Sequence, residues 1–141
     1  MKSIGLDLGS RTCGVAISDE LGMIARSYDT IRFHDDDYET AAKAVVEICE
    51  KEKVTNLVLG YPKHMNGDLG VRAQISIDFK KRLEELNDKL TIYLEDERLT
   101  TVIVDRMMIS GNVRRDKRHQ KKDEMAAQVI LQNYLDINSR K

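Results

Sequence analysis

Ser3-Ile4-Gly5-Leu6-Asp7-Leu8-Gly9 decides the fold, because it sets one carboxylate inside an otherwise buried strand. Ile4, Leu6 and Leu8 alternate onto one face and Ser3, Gly5 and Asp7 onto the other, which is the period of a strand. Gly9-Ser10-Arg11-Thr12 reads as a tight reversal into a second strand, Cys13 to Ser18, where Val15 and Ile17 alternate with Gly14, Ala16 and Ser18. The product is a hairpin with an aspartate near its tip. An ionised carboxylate withdrawn from water needs a partner. Two readings of Asp7 fit: hydrogen bonds accepted from the 9–12 turn, or a cation or metal.

Downstream, Asp19-Glu20-Leu21-Gly22 is a turn, and Met23 to Arg32 reads as a third strand that completes an antiparallel meander. Tyr38, Ala41, Ala42, Val45, Ile48 and Cys49 recur at helical spacing behind His34-Asp35-Asp36-Asp37, a run that supplies N-cap candidates and favourable charge. Val54 to Gly60 holds the continuous apolar run Leu57-Val58-Leu59, which fits a strand buried on both faces and parallel to the first. The loop after Tyr61-Pro62, with Lys63, His64 and Asn66-Gly67, leaves the carboxyl end of that strand, where open α/β sheets bind ligands. Val71 to Leu86 is a second expected helix, with Arg72 near its start. Thr91 to Leu94 is a fifth strand running into Glu95-Asp96-Glu97-Arg98-Leu99-Thr100-Thr101, after which Leu99, Val102, Ile103 and Met107 mark another helix. Gly111 to Lys122 is dense in cations with Val113 as its single apolar anchor, and is expected to be a mobile loop. From Asp123 a final helix carries Ala126, Ala127, Ile130, Leu131, Tyr134 and Leu135 on one face. The small alanines suit a close approach to the Gly5/Ala16 face of the hairpin.

The chain has 141 residues, enough for one domain spanning 1–141 with its own core. With 33% charged residues and no apolar run of membrane length, a membrane partner is not expected, and a cytoplasmic location is. Cys13 and Cys49 lack metal-ligand spacing and read as buried thiols. A formal charge of -1 excludes a uniformly basic surface but leaves room for the local stripe at 111–122.

The parallel strands should present their carboxyl ends along one sheet edge, bringing Asp7 and Asp96-Glu97 together, with Asp123 added by the last helix. Carboxylates from such distant segments repel unless divalent cations neutralise them. Hard oxygen donors select Mg²⁺ or Mn²⁺ over zinc. Two such ions about 3.5 to 4 Å apart activate a water and stabilise the leaving oxygen of a phosphodiester. The basic stripe would hold the backbone of a nucleic acid.

Gly5-Leu6-Asp7-Leu8-Gly9 with Gly14-Val15-Ala16, Gly60-Tyr61-Pro62 with Asn66-Gly67, Arg72-Ala73, Asp96-Glu97-Arg98-Leu99-Thr100-Thr101, and Asp123 with Ala126-Ala127 and Ile130-Leu131-Gln132 together resemble the YqgF/RuvX family. The resemblance runs nearly end to end. It implies a ribonuclease H-like α/β fold, with a mixed five-stranded sheet flanked by helices. It also implies a metal-dependent nuclease for 5′-end maturation of pre-16S ribosomal RNA, with Holliday-junction resolution on branched DNA as the alternative. Asp7, Glu97 and Asp123 match the family's acidic positions, and Asp96 is an auxiliary ligand candidate. Candidate nucleic-acid contacts are Arg11, Lys63, Arg72, Arg98, Arg114, Arg115, Lys117, Arg118, Lys121 and Lys122. Lys63-His64-Met65 and Ile103-Val104 depart from the family's pattern. A non-cleaving RNA-binding assembly factor and one lobe of an actin-like ATPase are the competing classes, and the expected state is a monomer or weak homodimer.

Overall fold

The alternation of Ile4, Leu6 and Leu8 with Ser3, Gly5 and Asp7 is realised as a strand covered on both faces. The computed structural model describes residues 2–61, 68–96 and 115–139. In chain order these form β1 (Ser3–Leu8), β2 (Thr12–Ser18), β3 (Ala25–Arg32), α1 (Tyr38–Glu52), β4 (Asn56–Tyr61), α2 (Asp68–Leu86), β5 (Thr91–Asp96) and α3 (Arg115–Ser139). The strand order is β3-β2-β1-β4-β5, antiparallel among β1, β2 and β3 and parallel from β1 through β4 to β5, as the sequence predicts.

Two separate cores follow from the alternation. Ile4, Leu6, Leu8, Val15 and Ile17 pack with Ala41, Ala42, Val45 and Cys49 of α1 and Phe79 and Leu83 of α2. On the other face Ala16, Ala25 and Val58 meet Ala127, Ile130, Leu131 and Leu135 of α3. Leu57 and Leu59 point into the first core and Val58 into the second, all fully buried, which is why that run shows no alternation. Each such side chain contributes about 1.5–3 kcal/mol by leaving water. Of the acidic run before α1, Asp37 is the N-cap: its carboxylate accepts from the Thr40 N–H (3.3 Å) and from Thr40 Oγ1 (2.7 Å).

Boundaries differ from expectation where side chains or partners intervene. β3 begins at Ala25 because Asp19 Oδ1 accepts from the N–H groups of Met23 (2.7 Å) and Ile24 (3.2 Å), holding them in the turn. β5 continues to Asp96 because β4 supplies Gly60 and Tyr61 as partners for Glu95 and Asp96. α2 starts at Asp68, three residues early. The largest correction concerns the stretch expected as a mobile loop: Arg115 to Lys122 are helical and belong to α3, so Asp123 lies inside a helix and does not begin one. Arg, Lys and Gln are good helix formers. Once Ala127 to Leu135 anchor the helix to the sheet, extending it costs far less than nucleating it.

Candidate active site

Gly5 brings the last helix onto the first strand. A Cβ built there would lie 2.7 Å from Leu131 Cβ and 2.8 Å from the Ala127 carbonyl oxygen, so only glycine admits α3 at this depth. At the other end of the strand Asn56 Nδ2 donates to Ser3 Oγ (2.8 Å) and to the Tyr134 hydroxyl (3.3 Å). Tyr134 therefore lies level with Ser3, and Ala127 and Leu131 with Gly5, so α3 runs antiparallel to β1. From that contact the strand advances two residues to Asp7, about 6.6 Å. The helix goes back four residues to position 123, about 6 Å. The backbone of residue 123 thus arrives level with Asp7, on the face that carries it.

Asp7 is the one position of β1 that is only half-buried, and it pairs with Gly14 of β2. Its charge is felt by Cys13, whose thiol is pushed up in pKa first by burial and then by Asp7. Across the parallel strands Leu6 is level with Leu59 and Leu59 with Leu94, so one row further Asp7 is level with Gly60 and Glu95. Tyr93 stacks against Tyr134 of α3 at 5.4 Å between ring centroids, whereas Ile92 belongs to the opposite core. Alternation then puts Glu95 on the Asp7 face. Strand period counted from Tyr93 picks out Glu95, an acid to which the sequence alone assigns no role beside Asp96 and Glu97.

Among the candidate nucleic-acid contacts, Arg11 is exposed at the hairpin turn, its Nε and Nη2 donating to the Asp35 carboxylate (Nη2 to Oδ2, 3.2 Å). That pair lowers the pKa of the Asp35 carboxyl. The turn is also tied to the loop before α1 by Phe33 N–H to Arg11 O and Asp36 N–H to Ser10 O, both 2.9 Å. Arg72 lies on α2, and Arg115, Lys117, Arg118, Lys121 and Lys122 on α3. Glu97, Lys63, Arg98 and Arg114 lie outside the described residues, as do His64, Asn66-Gly67 and the Leu99 to Met107 stretch.

Gln128 and Gln132 take structural roles that no pattern in the sequence assigns to them. Gln132 accepts from the Ala25 N–H (2.8 Å) and donates to the Met23 carbonyl (2.9 Å), while Gln128 donates to the Ala25 carbonyl (3.2 Å). Their amides pair with the β3 edge as a further strand would, and fix where α3 lies on the sheet. No local sequence signal marks partners more than 100 residues apart.

The chain matches, over residues 1–137, the family model described as "RuvX: Holliday junction resolvase". It is 47% identical over 136 residues to a protein of Geobacillus sp. (strain WCH70), covering 96% of this chain and 98% of that one. It is 46% identical over 134 residues to one from Onion yellows phytoplasma, covering 95% and 88%. Both carry the name "Putative pre-16S rRNA nuclease". In fold it resembles Thermus thermophilus RuvC in complex with a Holliday junction substrate, with a TM-score of 0.65 at 11% identity over 99% of this chain and 96% of that one. A mixed sheet of this order, with an acid on its first strand and a helix returning to that acid, is the ribonuclease H-like fold, and the chain belongs to the RuvX family.

Proposed function

We propose that this chain is a nuclease that hydrolyses phosphodiester bonds of structured RNA, in the 5′-end processing of pre-16S ribosomal RNA, using Asp7, Glu97 and Asp123. The observation that carries the proposal is the contact of Gly5 with Ala127 and Leu131, from which strand and helix rise bring the backbone of residue 123 level with Asp7. Repelling acids held at one sheet edge suit a divalent cation. Cys13, the thiol that senses Asp7, is buried and kept protonated, so the donors are hard carboxylate oxygens that fit Mg²⁺ or Mn²⁺. When bound, such ions supply an activated water and charge stabilisation at the leaving oxygen. Glu97 stands at the family's acidic position, with Asp96 as an auxiliary ligand candidate. The cations of α3 hold the phosphate backbone and position the substrate without reading its bases.

Asp7→Asn keeps the shape of the side chain and removes its charge. The expected result is a folded protein whose Mg²⁺- or Mn²⁺-dependent cleavage of a precursor-rRNA fragment falls by orders of magnitude. A four-way DNA junction is assayed beside it, and preferred cleavage of the junction would reassign the substrate. Equal cleavage by wild type and variant would sink the mechanism. Tight RNA binding without cleavage by the wild type would make the chain a binding factor.

A further inference from the structure

We infer that Gly5 is a positioning residue for the metal-binding acids: by carrying no Cβ it sets the distance between the backbones of Asp7 and Asp123, and thereby the choice of cation. The inference rests on the metal-site reading above and goes beyond it in giving a site role to a residue that touches neither metal nor substrate.

Glycine is present here for space. Gly22 is the glycine that adopts positive φ among the described residues, so the backbone at position 5 would accept any residue. In a strand interior glycine is otherwise a weakening choice. What a side chain would meet is backbone: the Ala127 carbonyl oxygen at 2.8 Å and Leu131 Cα at 3.4 Å, besides Leu131 Cβ at 2.7 Å. No rotamer change relieves such contacts. The helix must move, against the ties of Gln128 and Gln132 to Ala25 and Met23 and of Tyr134 to Asn56. The clash falls at Ala127 and Leu131, so α3 must rise from β1 along that turn. Bringing Leu131 Cβ out from 2.7 Å to ordinary van der Waals contact takes a rise of roughly 0.7 Å, and a helix raised by that much at Ala127 and Leu131 carries position 123 with it.

That displacement distinguishes cations. Mg²⁺ demands near-ideal octahedral geometry, whereas Ca²⁺ accepts flexible, longer coordination. Gly5→Ala should therefore impair Mg²⁺ binding selectively, a signature that reduced stability alone does not produce.

The test is calorimetric titration of Mg²⁺, and separately Ca²⁺, into wild type, Gly5→Ala, Asp7→Asn and Leu135→Ala, with folding checked by circular dichroism. Leu135→Ala serves as a control that loosens the same core without wedging the helix. The expected outcome is a tenfold or greater loss of Mg²⁺ affinity in Gly5→Ala, with Ca²⁺ affinity within about threefold of wild type and Leu135→Ala unchanged for both. Should Gly5→Ala not fold, Ala127→Ser places a smaller wedge in the same layer and must show the same selectivity. Wild-type Mg²⁺ affinity in the folded wedge variant overturns the role of Gly5 alone, as does equal loss for both cations. Mg²⁺ binding that Asp7→Asn leaves intact overturns the metal-site reading, and this inference with it.

Discussion

Asp19 illustrates how much one exposed carboxylate can fix. It accepts from two consecutive N–H groups, Met23 and Ile24, and these bonds hold its pKa below the ordinary aspartate value. Asp19→Ala should leave the sheet intact, lower the melting temperature modestly and speed amide exchange at Met23 and Ile24. Unchanged exchange at both would mean that the turn holds itself. The turn is legible in the sequence, because Asp and Gly at its ends carry the signal. The choice of N-cap among Asp35, Asp36 and Asp37 is not, since the three are equivalent in composition. Geometry separates them: Asp37 caps α1, Asp35 pairs with Arg11, and Asp36 adopts φ 59° while its N–H bonds to Ser10.

At the scale of elements, α3 is where sequence and structure part most. Its packed half is legible from the spacing of Ala127, Ile130, Leu131 and Leu135, but the stretch from Arg115 to Lys122 has no apolar period to read. Propensity and propagation from the anchored half decide it. The consequence is that these cations sit on a helix leading directly to the Asp7 edge. Lys117→Ala with Lys121→Ala should weaken RNA binding across sequences and reduce the slope of log K against log salt by roughly 0.7 for each phosphate no longer neutralised. A slope identical to wild type would show that these side chains meet only solvent ions. The strands, by contrast, are legible almost in full. Period 2 in β1 and β2 reflects large apolar residues toward α1 and α2 and small ones under α3, and its absence in β4 reflects large apolar residues toward both.

For the whole molecule, the mixed sheet and the placing of helices on its two faces follow from the order of strand and helix signals. The close approach of α3 is legible too, in the small residues at Gly5, Ala16 and Ala127, but its register on the sheet is not, because that depends on two glutamines meeting partners far away in sequence. Acid should expose another property of the assembly. Asp19, Asp35, Asp37 and Glu39 each have a carboxyl pKa below its ordinary value, Glu39 chiefly through its hydrogen bonds from Arg82. The stabilisation they give is complete above the ordinary carboxylate range and is lost as pH falls through their folded values, below about pH 4. Urea midpoints should accordingly be level between about pH 6 and 7 and decline below about pH 4. A midpoint unchanged at about pH 3 would contradict these assignments. No helix among the described residues is long and apolar enough to cross a membrane. The seating of α3 on Gly5 also has a consequence in time. Asp7 is synthesised 116 residues before Asp123, which at 5–20 residues per second is roughly 6 to 23 seconds. On the proposed pairing of Asp7 with Asp123, the growing chain lacks throughout that interval the helix that would complete its acids, so a nuclease made on RNA-rich ribosomes would stay unarmed until its last helix docks.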